Sequence, residues 1–323
     1  MSDLLKNIDA RTKLAGTNKL EILLFSLGTD SRTGRRETFG INVFKVREVM
    51  RTPAVTSAPE MPVSVEGMVS LRGALVPVVD LARYAGVATE TPRSIMIVTE
   101  YAGHTQGFLV EGVDTILRLD WSQMRVPPAM LTAEMGGLVT AVTELPDGRL
   151  VMMMDVEKIL SETTNYDDDI VYRNIKPLDN PELTVFFADD STVARKQIQR
   201  TLEAMGVKYV AAINGLDAWL ELEKMAAYAQ ASGQQTSDLI SLVLTDIEMP
   251  EMDGYILTKK IKSDPRFIGI PVIMHSSLSG MSNQQLGRSV GVDEYVPKFE
   301  PQRLSETLTR RLRQGVLPAL PSN

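Results

Sequence analysis

The first half of the chain is dominated by short apolar stretches separated by polar turns. Leu20–Leu27 is a rich apolar run, and Phe39, Ile41 and Val43 alternate with glycine and asparagine, as residues do in half-buried strands. Further strand candidates are Leu75–Val79, Ser94–Val98, Gly107–Val110, Leu138–Leu145 and Arg149–Met154. Strands this short and this closely spaced are typical of barrels or a sandwich, so the pattern predicts an all-β unit.

Two predicted strands end at an aspartate that precedes a short helical pattern. One leads through Asp80 into LARYAG, and the other leads through Asp155 into VEKIL. Because aspartate is a preferred helix N-cap, we predict that both aspartates cap helices, and the repetition fits two similar β units in tandem. Between the last two predicted strands, Asp147-Gly148 indicates a tight hairpin in which both residues take a positive φ.

The periodicity changes after a polar stretch. Residues 161–181 are acidic and contain Pro177 and Pro181, a composition typical of a linker. Strand and helix patterns then alternate. The predicted strands are Thr184–Ala188, Val207–Ala212, Leu239–Thr245, Ile270–His275 and Glu294–Val296, with helices after each, near Ala194, Leu216, Tyr255, Ser282 and Pro301. Five strand–helix units predict a doubly wound α/β domain with a parallel sheet, in which ligands bind at the carboxyl ends of the strands.

Composition and charge narrow the classes of function. The chain has 323 residues, which suggests about two domains, and its 44% hydrophobic and 23% charged content is that of an ordinary globular protein. It has no cysteine, and its two histidines, His104 and His275, are too few for a histidine-built zinc site or a Ser-His-Asp triad. A net charge of -7 argues against binding to nucleic acid.

Neither membrane insertion nor secretion is expected from the sequence. No apolar run of roughly 18 residues occurs, and the first residues lack a basic-then-apolar secretory pattern. We therefore expect a cytoplasmic protein.

Polar residues recur at the ends of the predicted parallel strands. Asp189 and Asp190 follow the first strand and Asp246 follows the third, while Ser276 and Lys298 follow the fourth and fifth. Three carboxylates at one sheet edge repel each other unless a cation lies between them, and their hard oxygens suit Mg²⁺. A hydroxyl and an ammonium suit phosphoryl oxygens. Each residue alone has an ordinary structural explanation, such as a helix cap, but the ordered set predicts a phosphoryl-acceptor site.

Four segments of the second half resemble the signature segments of response-regulator receiver domains. They are FFADDS (Phe186–Ser191), LTDIEMPEMDG (Leu244–Gly254), PVIMHSS (Pro271–Ser277) and YVPK (Tyr295–Lys298). The resemblance covers about residues 182–312 and implies a flavodoxin-like (βα)5 fold. It also implies that Asp246 accepts the phosphoryl group, and that Asp189, Asp190, Asp246 and the backbone carbonyl of Glu248 bind Mg²⁺.

The same resemblance implies roles for three further residues. Ser276 and Lys298 would contact the phosphoryl group, and Tyr295 together with Ser276 would form the conformational switch. The chain departs from the family in one place: the family usually has Lys-Pro in its last motif, whereas here Pro297 precedes Lys298 and Phe299 follows it. The pose of Lys298 is therefore open at this point.

Four segments of the first half resemble the CheW family of non-catalytic chemotaxis adaptors. They are FSLG (Phe25–Gly28), TFGINVFKVREVM (Thr38–Met50), SLRGALVPVVDL (Ser70–Leu81) and GFLVEGV (Gly107–Val113). The resemblance covers about residues 18–162 and implies a pair of five-stranded barrels that bind the histidine kinase CheA and the tip of a chemoreceptor.

Three residues of this region are candidates for partner binding. Arg72 matches the arginine of the family's LRG segment, but an arginine here also fits a structural role, and both interpretations stay open. Val43 and Val46 lie in the FGINVFKVREV segment, where core packing is the alternative to partner contact.

A CheW-like domain followed by a receiver domain resembles the layout of the CheV family of chemotaxis coupling proteins. The predicted organisation is a helical segment over residues 1–17, an adaptor domain over 18–162, a linker over 163–181, a receiver over 182–312 and a tail over 313–323. This layout implies a non-enzymatic adaptor, regulated by phosphorylation, whose partners are CheA, methyl-accepting chemoreceptors and CheW in a receptor array.

Two other functions fit parts of the pattern. A phosphate sink would use the same acceptor, with the adaptor domain only localising it. A phosphatase of the haloacid-dehalogenase type also uses an aspartate nucleophile with Mg²⁺, but it needs a DxDx[TV] motif after the first strand, whereas Asp246 follows the third. No basic helix-turn-helix follows the receiver segments, so transcriptional control is not expected.

Overall fold

The computed structural model describes residues 19–57, 61–62, 64–101, 104–163, 172–179, 182–277 and 287–315. The chain divides into two compact units, one formed by Lys19–Asn165 and the other containing the chain from Tyr166 onward. The predicted N-terminal helical segment, the first half of the helix predicted near Ser282 and the end of the tail lie outside the described residues. Among the described helices, none has the length and apolar character needed to cross a bilayer.

The first unit is built from two five-stranded sheets. Its described strands and helices are β1 (Lys19–Ser26), β2 (Thr38–Asn42), β3 (Val46–Arg51), β4 (Val65–Leu71), β5 (Ala74–Asp80), α1 (Leu81–Tyr84), β6 (Ile95–Tyr101), β7 (His104–Val110), β8 (Gly112–Asp120), α2 (Ala129–Glu134), β9 (Val139–Glu144), β10 (Leu150–Met154) and α3 (Val156–Thr163). The strand orders are β8-β1-β2-β10-β9 and β3-β6-β7-β5-β4. Each sheet has one parallel pair, β2–β10 and β5–β7, among otherwise antiparallel neighbours.

The strand–aspartate–helix repeat occurs once for each sheet. The Asp80 carboxylate accepts a hydrogen bond from the Arg83 backbone N–H at 3.1 Å, at the start of α1. The Asp155 carboxylate accepts from the N–H groups of Glu157 and Lys158, both at 3.0 Å, at the start of α3. Both predicted caps are confirmed, and so is the presence of two similar β units. The units are not in tandem, because the strands β3–β7 of one sheet are inserted between β2 and β8 of the other.

The hairpin between β9 and β10 is confirmed, but its predicted backbone is wrong. Gly148 has a φ of 84°, whereas Asp147 is not among the residues with positive φ. The Gly148 N–H donates to the Leu145 carbonyl at 2.9 Å, which places Pro146 and Asp147 at the centre of a four-residue turn. Proline favours the first central position of such a turn, and the left-handed glycine after it completes the hairpin.

A two-residue turn with positive φ at both residues, the geometry predicted for the β9–β10 hairpin, occurs instead between β4 and β5. Leu71 pairs with Ala74, and the two residues between them, Arg72 and Gly73, have φ values of 50° and 85°. Positive φ at both central positions matches the twist of the flanking strands. Arg72 therefore lies at the tip of a tight hairpin.

The second unit is an all-parallel sheet covered by helices. Its elements are β11 (Thr184–Ala188), α4 (Thr192–Met205), β12 (Lys208–Ala212), α5 (Gly215–Ala231), α6 (Thr236–Leu239), β13 (Leu242–Thr245), α7 (Gly254–Ser263), β14 (Val272–Ser276), β15 (Glu294–Pro297) and α8 (Pro301–Gly315), and residues 287–290 are also helical. The strand order is β12-β11-β13-β14-β15, which confirms the predicted doubly wound fold.

Both faces of this sheet are buried, because adjacent residues of the central strands enter different cores. Phe187 and Leu244 pack with Leu202 of α4 and with α8. Their neighbours Phe186 and Val243 pack in a separate cluster that also contains residues of α5 and α7. Continuous apolar strands are the expected pattern for a sheet covered on both faces.

Candidate functional site

The carboxyl ends of four neighbouring strands hold the predicted polar residues. Asp189 follows β11, Asp246 follows β13, Ser276 ends β14 and Lys298 follows β15. These strands are consecutive neighbours in the sheet. The four side chains are buried, with exposed fractions between 0% and 4%. The half-buried Asp190 lies beside Asp189, so the structure brings the predicted set to one edge of the sheet.

An ammonium lies between two of the carboxylates. Lys298 Nζ is 3.0 Å from Asp246 Oδ2 and 3.0 Å from Asp189 Oδ2. A lysine with 1% exposure is unusual, and it is tolerated because two negative charges surround its ammonium. The lysine of the atypical Pro-Lys motif therefore reaches the acidic residues, and its backbone N–H is 3.2 Å from the Ser276 carbonyl oxygen. The chain then turns at Phe299, which has a φ of 63°.

The acidic residues fit a divalent cation. Asp189, Asp190 and Asp246 each offer a carboxylate oxygen, and these oxygens lie within 4.8 Å of one another. Three carboxylates minus one ammonium leave a formal charge of -2 at the site. Hard oxygen ligands and partial exposure suit Mg²⁺, which keeps several waters and takes one or two carboxylates directly. Glu248, whose backbone carbonyl is the fourth predicted ligand, is buried two residues beyond Asp246.

Backbone hydrogen bonds fix the two buried aspartates. Asp246 Oδ1 accepts from the Ile247 N–H at 2.7 Å, and Asp189 Oδ1 accepts from the Ser191 N–H at 2.9 Å. Arg195, in the first turns of α4, donates from one nitrogen to the backbone carbonyls of Asp189 and Asp190, both at 2.8 Å. The guanidinium therefore holds the acidic loop through its backbone carbonyls rather than through the aspartate carboxylates.

The start of α7 is packed tightly against the backbone of Asp246. A Cβ atom at Gly254 would lie 1.9 Å from the Asp246 carbonyl oxygen, so no other residue fits without a backbone shift. The Gly254 N–H donates to the Ile247 carbonyl at 2.9 Å, and Asp253 caps the helix through the Ile256 N–H at 2.7 Å. The helix start and the aspartate are therefore placed as one rigid group.

Tyr295, the predicted switch residue, is paired with a second tyrosine. Its hydroxyl lies 3.0 Å from the hydroxyl of Tyr255, the second residue of α7. Burial raises the pKa of Tyr295 to about 12, with a smaller opposite effect from the Tyr255 hydrogen bond. Burial and the neighbouring Tyr295 raise the pKa of Tyr255 well above its ordinary value. Both phenols are protonated at neutral pH, so each hydroxyl can donate or accept.

Sequence patterns did not single out Arg195 and Tyr255. Arg195 occupies a polar position of an amphipathic helix, and the only signal for it is its place one turn beyond the acidic pair. Tyr255 has the sequence pattern of an ordinary core residue of α7. Its hydroxyl contacts Tyr295, which is 40 residues away in the sequence. No local pattern carries that information.

The three candidate partner-binding residues of the first unit differ in exposure. The Arg72 side chain is 66% exposed, and its guanidinium is 2.9 Å from the Glu48 carboxylate on β3. This ion pair joins the β4–β5 hairpin to the opposite edge strand of the same sheet. Val43 and Val46 are buried, with exposed fractions of 9% and 8%, which favours core packing over partner contact at both positions.

Comparisons with known proteins agree with this division. The CheW-like domain family matches residues 21–164, and the response regulator receiver domain family matches residues 185–309. Chemotaxis protein CheV1 of Helicobacter pylori is 28% identical, over 97% of this chain and 99% of its own length. Chemotaxis protein CheY1 of the same organism is 36% identical over 39% of this chain and 94% of its own length. Chemotaxis protein CheW of Klebsiella aerogenes is 32% identical over 46% of this chain and 87% of its own length.

The chain thus joins a CheW-like adaptor domain to a response-regulator receiver domain that carries an acidic pocket and a buried lysine. With this layout, and with full-length similarity to CheV proteins, it belongs to the CheV family of chemotaxis coupling proteins.

Proposed function

We propose that this protein couples chemoreceptors to the histidine kinase CheA and that phosphorylation of Asp246 regulates the coupling. The observation that carries the proposal is the buried contact of Lys298 with Asp246 and Asp189, beside a third carboxylate and in one chain with a CheW-like domain. If Lys298 and the aspartates had only a structural role, a third carboxylate would not be needed at the edge of the sheet where ligands bind.

The proposed reaction moves a phosphoryl group from a kinase histidine to the receiver. An oxygen of the Asp246 carboxylate forms the new P–O bond while the P–N bond to the phosphohistidine breaks in line, and the imidazole nitrogen takes the electron pair. Lys298, already 3.0 Å from Asp246 Oδ2, moves its ammonium onto a phosphoryl oxygen. Asp189, Asp190, Asp246 and the Glu248 carbonyl would hold Mg²⁺, which when bound neutralises charge on the phosphoryl oxygens.

The aspartyl phosphate then changes the conformation of the receiver. It adds about -1.5 to -2 charges and strong acceptor oxygens at the end of β13. The Ser276 hydroxyl moves toward these oxygens, and Tyr295 rotates into the vacated space. Because a modification shifts an equilibrium only through its different affinity for two states, the phosphoryl group must stabilise one receiver conformation by a few kcal/mol.

The adaptor domain would connect this switch to the receptor array. Its proposed partners are CheA, methyl-accepting chemoreceptors and CheW, and the exposed Arg72 is the candidate contact residue. The protein would be cytoplasmic and would reach the membrane through these proteins. No enzymatic turnover is needed for this role, since the kinase supplies the phosphoryl group.

The test is kinase control in reconstituted arrays of chemoreceptor, CheA and this chain. We expect wild type and Asp246→Asn to couple equally without phosphorylation and to differ once phosphoryl transfer is strong. Glu182→Gln, at a side chain with 81% exposure in the same unit, is the matched control. Identical kinase control by wild type and Asp246→Asn under strong phosphorylation would overturn the regulatory proposal and leave the phosphate sink as the explanation of any phosphoryl uptake.

A further inference from the structure

The hydroxyl pair of Tyr255 and Tyr295 lies in a small apolar cluster next to the acceptor loop. The cluster contains Ile247, Tyr255 and Met274, with Tyr295 packed against it. Tyr255 is 3% exposed, and Tyr295 is half-buried. A hydroxyl in such surroundings is costly to leave without a partner, so the 3.0 Å contact stabilises the conformation in which the two phenols meet.

Tyr255 has a fixed position relative to the phospho-acceptor. It follows Gly254, whose Cα carries no side chain because the Asp246 carbonyl occupies that space. The hydrogen bond from the Gly254 N–H to the Ile247 carbonyl and the Asp253 cap hold the same turn. The backbone of Tyr255 is therefore anchored to the loop that contains Asp246.

The ring of Tyr295 is packed tightly against Gly287. A Cβ atom at Gly287 would lie 2.5 Å from Cε2 and 2.8 Å from the hydroxyl oxygen of Tyr295. The phenol thus lies between the helical residues 287–290 and the start of α7, and its hydroxyl contacts the hydroxyl of Tyr255. We call this placement the paired state of Tyr295.

We propose that Tyr255 is a positioning residue for the Tyr295 switch, which it holds in the paired state until the receiver is phosphorylated. The inference rests on the proposed function in one respect, namely that Tyr295 is the residue that moves. Loss of the 3.0 Å hydroxyl contact is expected to raise the population of the unpaired state about fivefold, the effect of one typical hydrogen bond. The balance between the two states would then be set by a residue on α7 that is not among the predicted ligands of the cation or the phosphoryl group.

The test compares full-length wild type, Tyr255→Phe and Tyr228→Phe by NMR of tyrosine labelled with ¹³C at Cζ. Tyr228, 64% exposed on α5, provides a matched loss of one phenol hydroxyl. The Tyr295 signal is assigned by its absence in Tyr295→Phe. A soluble paramagnetic agent measures the solvent exposure of Tyr295, and beryllium fluoride with Mg²⁺ serves as the phosphoryl mimic.

We expect Tyr255→Phe to reduce paramagnetic broadening of the Tyr295 signal without the mimic, in the same direction as the mimic does in wild type, because the space beside Ser276 is buried. Tyr228→Phe should leave the broadening unchanged. We also expect the mimic to produce a smaller further change in Tyr255→Phe than in wild type, because part of the shift has already occurred. Unchanged exposure of Tyr295 in Tyr255→Phe, or an equal effect of Tyr228→Phe, would overturn the inference. Failure of Asp246 to take up a phosphoryl group would contradict the proposed function, whereas the measurement without the mimic would still test the tyrosine pair.

Discussion

Lys298 is the residue on which the electrostatics of the site depend. Its buried ammonium lies 3.0 Å from each of two carboxylates, and it is the counter-charge that keeps these acids together in the folded protein. Removal of one partner from a buried ion pair leaves the charge of the other partner buried and uncompensated.

We therefore predict that Lys298→Gln lowers the free energy of unfolding of the receiver by about 3–5 kcal/mol in the absence of Mg²⁺. Urea denaturation monitored by circular dichroism measures the loss. The control is Lys224→Gln, since Lys224 is 73% exposed and its ion pair with Glu221 is on the surface, where such pairs contribute about 0–1 kcal/mol. Equal effects of the two substitutions would show that the buried lysine has no special electrostatic role.

Gly254 is a second residue with a specific physical requirement. A methyl group there would lie 1.9 Å from the Asp246 carbonyl oxygen, a backbone atom that cannot rotate away. We predict that Gly254→Ala costs about 1–3 kcal/mol of unfolding free energy, as overpacking does, and that it also lowers phosphoryl uptake by displacing Asp246.

The matched control for this substitution is Gly112→Ala. Gly112 has open space around the position of a Cβ and no positive φ, so an alanine there has no steric reason to disturb the fold. The two variants are compared in unfolding experiments and in phosphoryl uptake. A Gly254→Ala protein as stable and as active as Gly112→Ala would refute the close approach.

The site residues that lie at strand ends could be predicted from the sequence, and those that act across the fold could not. Asp189 and Asp246 follow recognisable buried strands, Lys298 follows a short edge strand, and the parallel topology then brings them together. Tyr255 contributes through a contact with a residue 40 positions away. Side-chain pairs of this kind depend on where side chains of α7 and β15 meet in the folded protein, which hydrophobic periodicity does not specify.

At the scale of elements, buried strands are recognisable in the sequence and exposed or irregular ones are not. β11 has the predicted bounds because its residues are apolar and enclosed on both faces. β8 was not predicted, since residues 114–116 are all exposed and do not alternate, and its pairing with β1 shifts register between Leu23 and Phe25. β13 begins at Leu242 rather than at the predicted Leu239, because a capping box between Gln235 and Asp238 starts a helical turn first.

The cap of α1 offers a test at this scale. Asp80 accepts from the Arg83 N–H, and its carboxylate is 3.1 Å from the Arg93 guanidinium. We predict that Asp80→Ala lowers the unfolding free energy of the first unit by about 1–2 kcal/mol, because it removes both the cap and the charge partner. Asp80→Asn should cost less, since asparagine caps helices as well as aspartate does. Equal losses in thermal or urea unfolding would mean that the cap contributes nothing.

At the scale of the whole molecule, the chain is two compact units with separate cores. Two units of this kind are expected to unfold in more than one transition. Within the described parts of the chain, the acidic pocket belongs to the second unit. A ligand of that pocket should therefore stabilise the receiver and leave the first unit unchanged.

We predict that Mg²⁺ raises the midpoint of one unfolding transition only. At a free concentration a hundredfold above its Kd the stabilisation should be about 2.7 kcal/mol. Asp190→Asn, which removes a carboxylate other than the two that lie 3.0 Å from Lys298, should weaken the effect, and Glu182→Gln should not. Stabilisation of both transitions, or of neither, would argue against a magnesium site in the receiver.

Phosphoryl transfer to Asp246 is the central claim, and intact mass measures it most directly. The full-length protein is incubated with Mg²⁺ and a phosphorylated chemotaxis kinase, with Asp246→Asn and a known receiver domain alongside. We predict that wild type gains one phosphoryl group and that Asp246→Asn gains none. If wild type remains unmodified while the known receiver is phosphorylated, or if Asp246→Asn is modified as well, Asp246 is not the acceptor.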